Sequence, residues 1–151
     1  TGKRVLVLGS GSTSLTVRAV ARVQEAADIA VVSRSGELNY GNVYDRADPQ
    51  VVLNATPVGM FPETDGCPAP ISVIETSAAV FDAIYNPEET LLLKRARANG
   101  AKTVGGMSML VYQAAAAHTI WDGSQYTEEE IRQLCEDTAC ERNRLFGQES
   151  A

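Results

Sequence analysis

The sequence has few of the residues that build metal centres and disulfide frameworks. Its 151 residues include one histidine and three cysteines. The cysteines are Cys67, Cys135 and Cys140, an odd number with no C-x-x-C pair. This usage predicts free thiols in a reducing compartment, and therefore a cytoplasmic location and no metal site.

Positive charge and long apolar runs are also scarce. Lysine and arginine number 13 against 19 acidic residues, which gives a formal net charge of -6. Proteins that bind the phosphate backbone are usually basic, so we expect no nucleic-acid partner. No apolar run approaches the ~18 residues of a membrane span, and the first residues lack the apolar segment of a secretory signal. We therefore expect no membrane partner.

What the sequence does contain is an alternation of strand-like and helix-like segments. A chain of this length makes about one domain with a proper core. Apolar runs predict strands at residues 4–8, 29–33, 51–54, 80–84 and 102–104, and helical spacing predicts helices at 15–27, 88–99, 107–121 and 127–144. The alternation predicts an α/β fold, with a Rossmann-like, doubly wound, mainly parallel sheet followed by C-terminal helices.

A glycine-rich turn joins the first strand to the first helix. Its sequence is GSGSTS over residues 9–14, where the dinucleotide fingerprint G-x-G-x-x-G has a third glycine in place of Ser14. Glycine permits the tight turn and lets the backbone approach a pyrophosphate at the helix N-terminus. The alternative is a turn that merely connects strand to helix. The predicted phosphate-binding residues are Gly9, Ser10, Gly11, Ser12 and Thr13.

The end of the second strand indicates which nucleotide is bound. An NAD site usually places Asp or Glu there for the ribose 2′-hydroxyl, whereas this chain has Ser33, Arg34 and Ser35. The guanidinium fork and the hydroxyls suit a 2′-phosphate, so the sequence favours NADP. The alternative reading of Arg34 is a solvated surface residue.

Three further segments carry a family resemblance. They are NATPVGM at 54–60, DAIYNPEET at 82–90 and GGMSMLVYQ at 105–113. Together, in this order and spacing, they resemble the shikimate dehydrogenase family. The resemblance covers nearly the whole chain, but only the C-terminal, NADP-binding half of that family.

The resemblance implies roles for individual residues. Tyr85 and Gln113 correspond to substrate-binding residues, although a strand-end tyrosine and an exposed helical glutamine are the plain alternatives. The resemblance implies that Met107 borders the nicotinamide ring, and the alternative is an ordinary core residue. The residues implied to contact the cofactor are Asn54, Ala55, Thr56, Pro57, Gly106 and Met107.

The resemblance also implies a missing half. It assigns residues 1–106 to an NADP-binding domain and 107–151 to helices that return to a substrate domain. Family members carry a catalytic lysine and aspartate in that N-terminal domain, and none of Lys3, Lys94 and Lys102 has a similar context. We expect no catalytic residue in this chain, which would then be the inactive cofactor-binding part of a longer protein.

The function that the resemblance implies is the reversible NADPH-dependent reduction of 3-dehydroshikimate to shikimate, a step of chorismate and aromatic amino-acid biosynthesis. The small-molecule substrate and the N-terminal domain are the expected partners. A quinate/shikimate dehydrogenase and a non-catalytic dinucleotide-binding module remain alternatives.

Overall fold

The computed structural model describes residues 1–43 and 48–147. Within it the chain divides into two compact units, Thr1–Gly105 and Gly106–Ala151. Each unit has its own secondary structure.

The first unit is built on a five-stranded parallel sheet. The strands are β1 (Arg4–Leu8), β2 (Asp28–Val32), β3 (Val51–Asn54), β4 (Ala79–Asp82) and β5 (Lys102–Val104). Their order is β2-β1-β3-β4-β5, and every neighbouring pair is parallel. At the carboxyl edge Leu8 of β1 lies opposite Val32 of β2 and Asn54 of β3. The predicted α/β fold with a Rossmann-like parallel sheet is confirmed.

Apolar side chains cover both faces of this sheet. Because side chains alternate along a strand, Leu6 and Leu8 pack in one core cluster, whereas Val5 and Val7 pack in another with Val17 of the first helix. The helices of the unit are α1 (Ser12–Val23), α2 (Ile71–Glu75) and α3 (Leu91–Ala98). Burial on both faces explains why the strands are continuous apolar runs in the sequence.

Two helices begin three residues away from their predicted starts. Helix α1 begins at Ser12 because Gly11 is its N-cap, so the glycine-rich turn runs directly into the helix. Helix α3 begins at Leu91, since the Thr90 side chain accepts a hydrogen bond from the Leu93 backbone N–H and caps it. The short helix α2 was not predicted.

The second unit contains the helices α4 (Met107–Asp122) and α5 (Glu128–Phe146). The Thr127 side chain accepts from the Glu130 backbone N–H, and the Glu130 carboxylate accepts from the Thr127 backbone N–H at 2.7 Å, so a capping box begins α5. The Tyr112 hydroxyl donates to the Glu128 carboxylate at 2.5 Å and joins the two helices. None of the helices within the described ranges combines the length and apolar character of a membrane span.

The end of α4 generates a pH prediction. Asp122 accepts hydrogen bonds from the Ser124 hydroxyl at 2.5 Å and the Ser124 N–H at 2.9 Å, and it also contacts His118. These contacts lower the pKa of Asp122 from 3.8 to about 2. The stabilisation is therefore present above the ordinary pKa and is lost as pH falls through about 2. We expect an NMR titration of the Asp122 carboxyl carbon to show this low midpoint.

The matched variant is Ser124→Ala. It removes the hydrogen bond from the Ser124 hydroxyl, which lowers the pKa of Asp122 most, and should therefore raise the midpoint. A wild-type midpoint at the ordinary value of 3.8 would contradict the assignment.

Candidate functional site

A cleft of about 670 Å³ opens at the carboxyl ends of β1, β2 and β3. This is the position where strand order reverses in a doubly wound sheet, because β1 lies between β2 and β3, and ligands of such sheets bind there. Its walls come from the turn after β1, the segment after β2 and the loop after β3. The described lining residues are Gly9, Ser10, Gly11, Ser33, Arg34, Tyr40, Ala55, Thr56, Pro57, Val58, Cys67 and Pro68.

Gly9 is required by the backbone at the floor of the cleft. Its φ is +100°, and a Cβ atom there would lie 2.9 Å from Thr56 Cγ2 and 3.0 Å from the Ala55 carbonyl oxygen. Its N–H donates to the Val32 carbonyl at 2.8 Å. Only glycine fits both the left-handed backbone and the close approach.

Gly11 has the opposite surroundings. A Cβ atom there would meet nothing within 4 Å, so the N-cap of α1 faces open space. No side chain caps this helix end, which leaves its first backbone N–H groups available to an anion. Ser12 and Thr13 belong to the first turn of α1 and are not among the lining residues. Ser14 is fully buried, as suits close helix packing at the position of the third glycine.

The cationic wall of the cleft is Arg34. Arg34 is exposed and lines the cleft beside the half-buried Ser33, whereas Ser35 is exposed and is not among the lining residues. The Ser33 backbone N–H donates to the Leu38 carbonyl at 3.2 Å, which turns the chain immediately after Arg34. The tip of β2 therefore presents a guanidinium to the cleft.

The segment that follows is a turn held by asparagine side chains. The Asn39 carboxamide oxygen accepts from the Gly41 N–H at 2.9 Å, and the Asn42 side chain accepts from the Asn39 N–H at 2.8 Å. Val43 is fully buried and anchors the end of the turn. This turn holds Tyr40 half-buried against the core and on the cleft, where burial raises the pKa of its hydroxyl.

The wall after β3 is supported from behind by Asn54. Asn54 is fully buried and is not among the lining residues. Its Oδ1 atom accepts from the Thr56 N–H at 2.9 Å and from the Thr56 hydroxyl at 2.8 Å. Ala55, Thr56 and Pro57 form the wall itself.

The remaining predicted site residues lie elsewhere. Tyr85 follows β4 in the first unit, is 44% exposed and is not among the lining residues. In the second unit Gly106 is buried, Met107 is half-buried at the start of α4 and Gln113 is exposed on that helix. Within the described ranges no group of three or more His, Cys, Asp or Glu residues is arranged to hold a metal ion.

Four lining residues were not predicted from the sequence: Tyr40 and three others. Val58, Cys67 and Pro68 belong to the long, proline-rich loop after β3. The loop returns to the cleft because Gly59 and Gly66 meet closely, with a Cβ at Gly59 placed 2.7 Å from the Gly66 carbonyl oxygen. Such a contact has no sequence signal beyond the two glycines.

The glycine geometry predicts a difference between two variants. Gly9→Ala should lower the free energy of unfolding by about 1–3 kcal/mol, because it combines a positive φ with a steric overlap. Gly11→Ala should cost less than about 1 kcal/mol, as its φ is ordinary and its surroundings are open. Urea unfolding of both variants measures the difference, and equal stabilities would contradict it.

Comparison with known proteins identifies the family of this chain. No model of a protein family matches the sequence. A shikimate dehydrogenase (NADP(+)) from Methanococcus aeolicus is 38% identical over an alignment of 138 residues, and the match covers 79% of this chain and 49% of the relative. The structure of a chorismate mutase/shikimate 5-dehydrogenase fusion protein from Clostridium acetobutylicum superimposes with a TM-score of 0.88 at 32% identity, over 95% of this chain and 56% of that one. A shikimate dehydrogenase in complex with NADP+ gives a TM-score of 0.73 at 29% identity, over 92% and 55%.

Fold and cleft together define an α/β domain of the Rossmann-like class, with its cleft at the carboxyl ends of the strands. The relatives make the identification specific: the chain belongs to the shikimate dehydrogenase family. It spans about half the length of the curated relatives it matches. The resemblance drawn from the three sequence motifs is confirmed.

Proposed function

We propose that this chain is the NADP-binding part of a shikimate dehydrogenase, which reduces 3-dehydroshikimate to shikimate reversibly. The observation that carries the proposal is the pairing, on one cleft, of an uncapped helix N-terminus at Gly11 with the guanidinium of Arg34. Two separate anion-binding features suit a dinucleotide with a pyrophosphate and a 2′-phosphate. The solved relative with bound NADP+ supports the same cofactor.

Each wall of the cleft has a task in this proposal. The backbone N–H groups at the start of α1 bind the pyrophosphate, and Gly11 leaves the space for it. Arg34 and Ser33 bind the 2′-phosphate, with Ser35 adjacent, and Tyr40 borders the adenosine. The loop of Ala55, Thr56 and Pro57 borders the rest of the cofactor. NADPH itself supplies the hydride.

The substrate-side assignments remain proposals. Tyr85 and Gln113 would contact the substrate, and Gly106 and Met107 would border the nicotinamide. We also propose that residues 1–106 form the cofactor domain, that 107–151 return to a substrate domain, and that the acid/base pair lies in the part of the family that this chain does not match. The reaction belongs to aromatic amino-acid biosynthesis and would take place in the cytoplasm.

The role of Arg34 is tested by Arg34→Ala. Loss of charge-assisted hydrogen bonds to a 2′-phosphate should weaken NADPH binding about 10- to 100-fold and leave NADH binding nearly unchanged. Calorimetric titration with both nucleotides measures the two affinities.

The matched control is Arg22→Ala, which removes an exposed arginine in the last turn of α1, at the end of the helix away from Gly11. NADPH affinity should then stay within about twofold of the wild-type value. If Arg34→Ala weakens NADPH and NADH equally, Arg34 does not read the 2′-phosphate. If the wild-type chain binds neither nucleotide, the proposed cofactor site is wrong.

The location of the acid/base pair predicts binding without turnover. The chain should bind NADPH but should not reduce NADP+ in the presence of shikimate, because a proton acceptor is needed in addition to the cofactor. Absorbance of NADPH measures the reaction, with a full-length shikimate dehydrogenase as the positive control. Turnover by the chain alone would place the acid/base residues within it.

A further inference from the structure

Behind the cleft lies a buried carboxylate that the proposed chemistry does not use. Asp82 ends β4 directly opposite Asn54 of β3, and both side chains are fully buried. In the described part of the chain no lysine or arginine forms an ion pair with it. A buried carboxylate without a cation is costly unless hydrogen bonds compensate it.

Three donors satisfy Asp82. Oδ1 accepts from the Asn54 side-chain amide at 2.9 Å and from the Ile84 backbone N–H at 3.0 Å, and Oδ2 accepts from the Thr90 hydroxyl at 2.7 Å. Burial raises the pKa of Asp82, and these hydrogen bonds oppose that rise. Both oxygens act only as acceptors, which is the pattern of the ionised carboxylate.

The bond to Asn54 fixes which way its carboxamide points. A carboxamide has one donor end and one acceptor end. Asp82 accepts from the Nδ2 end, and the Oδ1 end receives both the N–H and the hydroxyl of Thr56. In the reversed orientation the NH₂ group of Asn54 would face the N–H and the hydroxyl of Thr56. Its oxygen would face the Asp82 carboxylate, and two acceptors would then meet. Asp82 therefore permits one orientation.

That orientation sets the wall of the cleft. The Thr56 Oγ1 atom accepts from the Val58 N–H at 3.3 Å, and both residues line the cleft. On its other side the Thr56 methyl carbon lies 2.9 Å from where a Cβ of Gly9 would be. A chain of hydrogen bonds thus runs from Asp82 through Asn54 to Thr56, which touches the phosphate-binding turn.

We propose that Asp82 is a positioning residue of the nucleotide cleft, which acts through Asn54 to hold Thr56 and Val58 against the Gly9 turn and never touches the ligand. The ligand named in its test, NADPH, rests on the proposed function.

The second arm of Asp82 provides an internal control. Thr90 donates to Oδ2 and accepts from the Leu93 N–H at 3.3 Å, so this arm caps α3 and does not reach the cleft. Thr90→Val removes that arm and leaves the bond between Asp82 and Asn54. Asp82→Asn keeps an oxygen for Asn54 and Ile84 and places its NH₂ group toward Thr90.

NADPH affinity, measured by calorimetry on variants that are folded by circular dichroism, distinguishes the two arms. Asp82→Ala and Asn54→Ala should each weaken binding about 3- to 10-fold, the effect of one or two lost hydrogen bonds. Thr90→Val and Asp82→Asn should stay within about twofold of wild type while lowering stability to urea.

The double variant Asp82→Ala/Asn54→Ala should bind NADPH no more weakly than Asn54→Ala alone, because both act through one chain of contacts. Additive losses of affinity would instead indicate general loosening and would overturn the proposal.

Hydrogen exchange of the Thr56 backbone amide tests the same relay without a ligand. Exchange should accelerate in Asp82→Ala and Asn54→Ala but not in Thr90→Val. If wild type fails to bind NADPH, the proposed function fails while this measurement still decides the role of Asp82. If Asp82→Ala does not fold, the comparison of Asn54→Ala with Thr90→Val decides: unchanged affinity and unchanged Thr56 exchange in Asn54→Ala would overturn the proposal.

Discussion

Three strand ends converge on Gly9, and the cleft depends on that convergence. The Gly9 N–H donates to Val32 at the end of β2, and the Ala55 N–H after β3 donates to Leu8 at the end of β1, at 2.9 Å. The absence of a side chain at Gly9 lets Thr56 approach within van der Waals contact of the turn. Parallel pairing brings the carboxyl ends of the strands to one edge, and glycine at this point allows their loops to meet there.

The two sides of the cleft are stabilised in different ways. The side at the β2 tip is held by backbone turns and asparagine side chains around Asn39, with Arg34 exposed at the surface. The side after β3 is held by the buried hydrogen bonds of Asn54 and Asp82. Because the chain carries a net charge of -6, attraction of an anionic ligand must come from local donors rather than from the overall field.

The sequence predicted the sheet well because each strand is an apolar run with both faces covered. It predicted the glycine-rich turn and Arg34 because both stand next to strand ends, where position alone brings them to the cleft. Tyr40 and Cys67 could not be predicted, since they reach the cleft through loops whose paths depend on tertiary hydrogen bonds. Asn54 shows the limit of a motif: its place beside the cleft was predicted, but its burial and its bond to Asp82 appear only in the structure.

The central claim is that a dinucleotide occupies the cleft at the ends of β1, β2 and β3. Titration of the isotopically labelled chain with NADPH, followed by the backbone amide resonances, tests it most directly. The account predicts that the largest shifts fall on Gly11, Arg34 and Thr56, from all three walls. A second cleft adjoins this one at Pro57 and Val58 and is otherwise lined by the loop from Gly59 to Gly66. Shifts confined to that loop, or no shifts at saturating nucleotide, would contradict the claim.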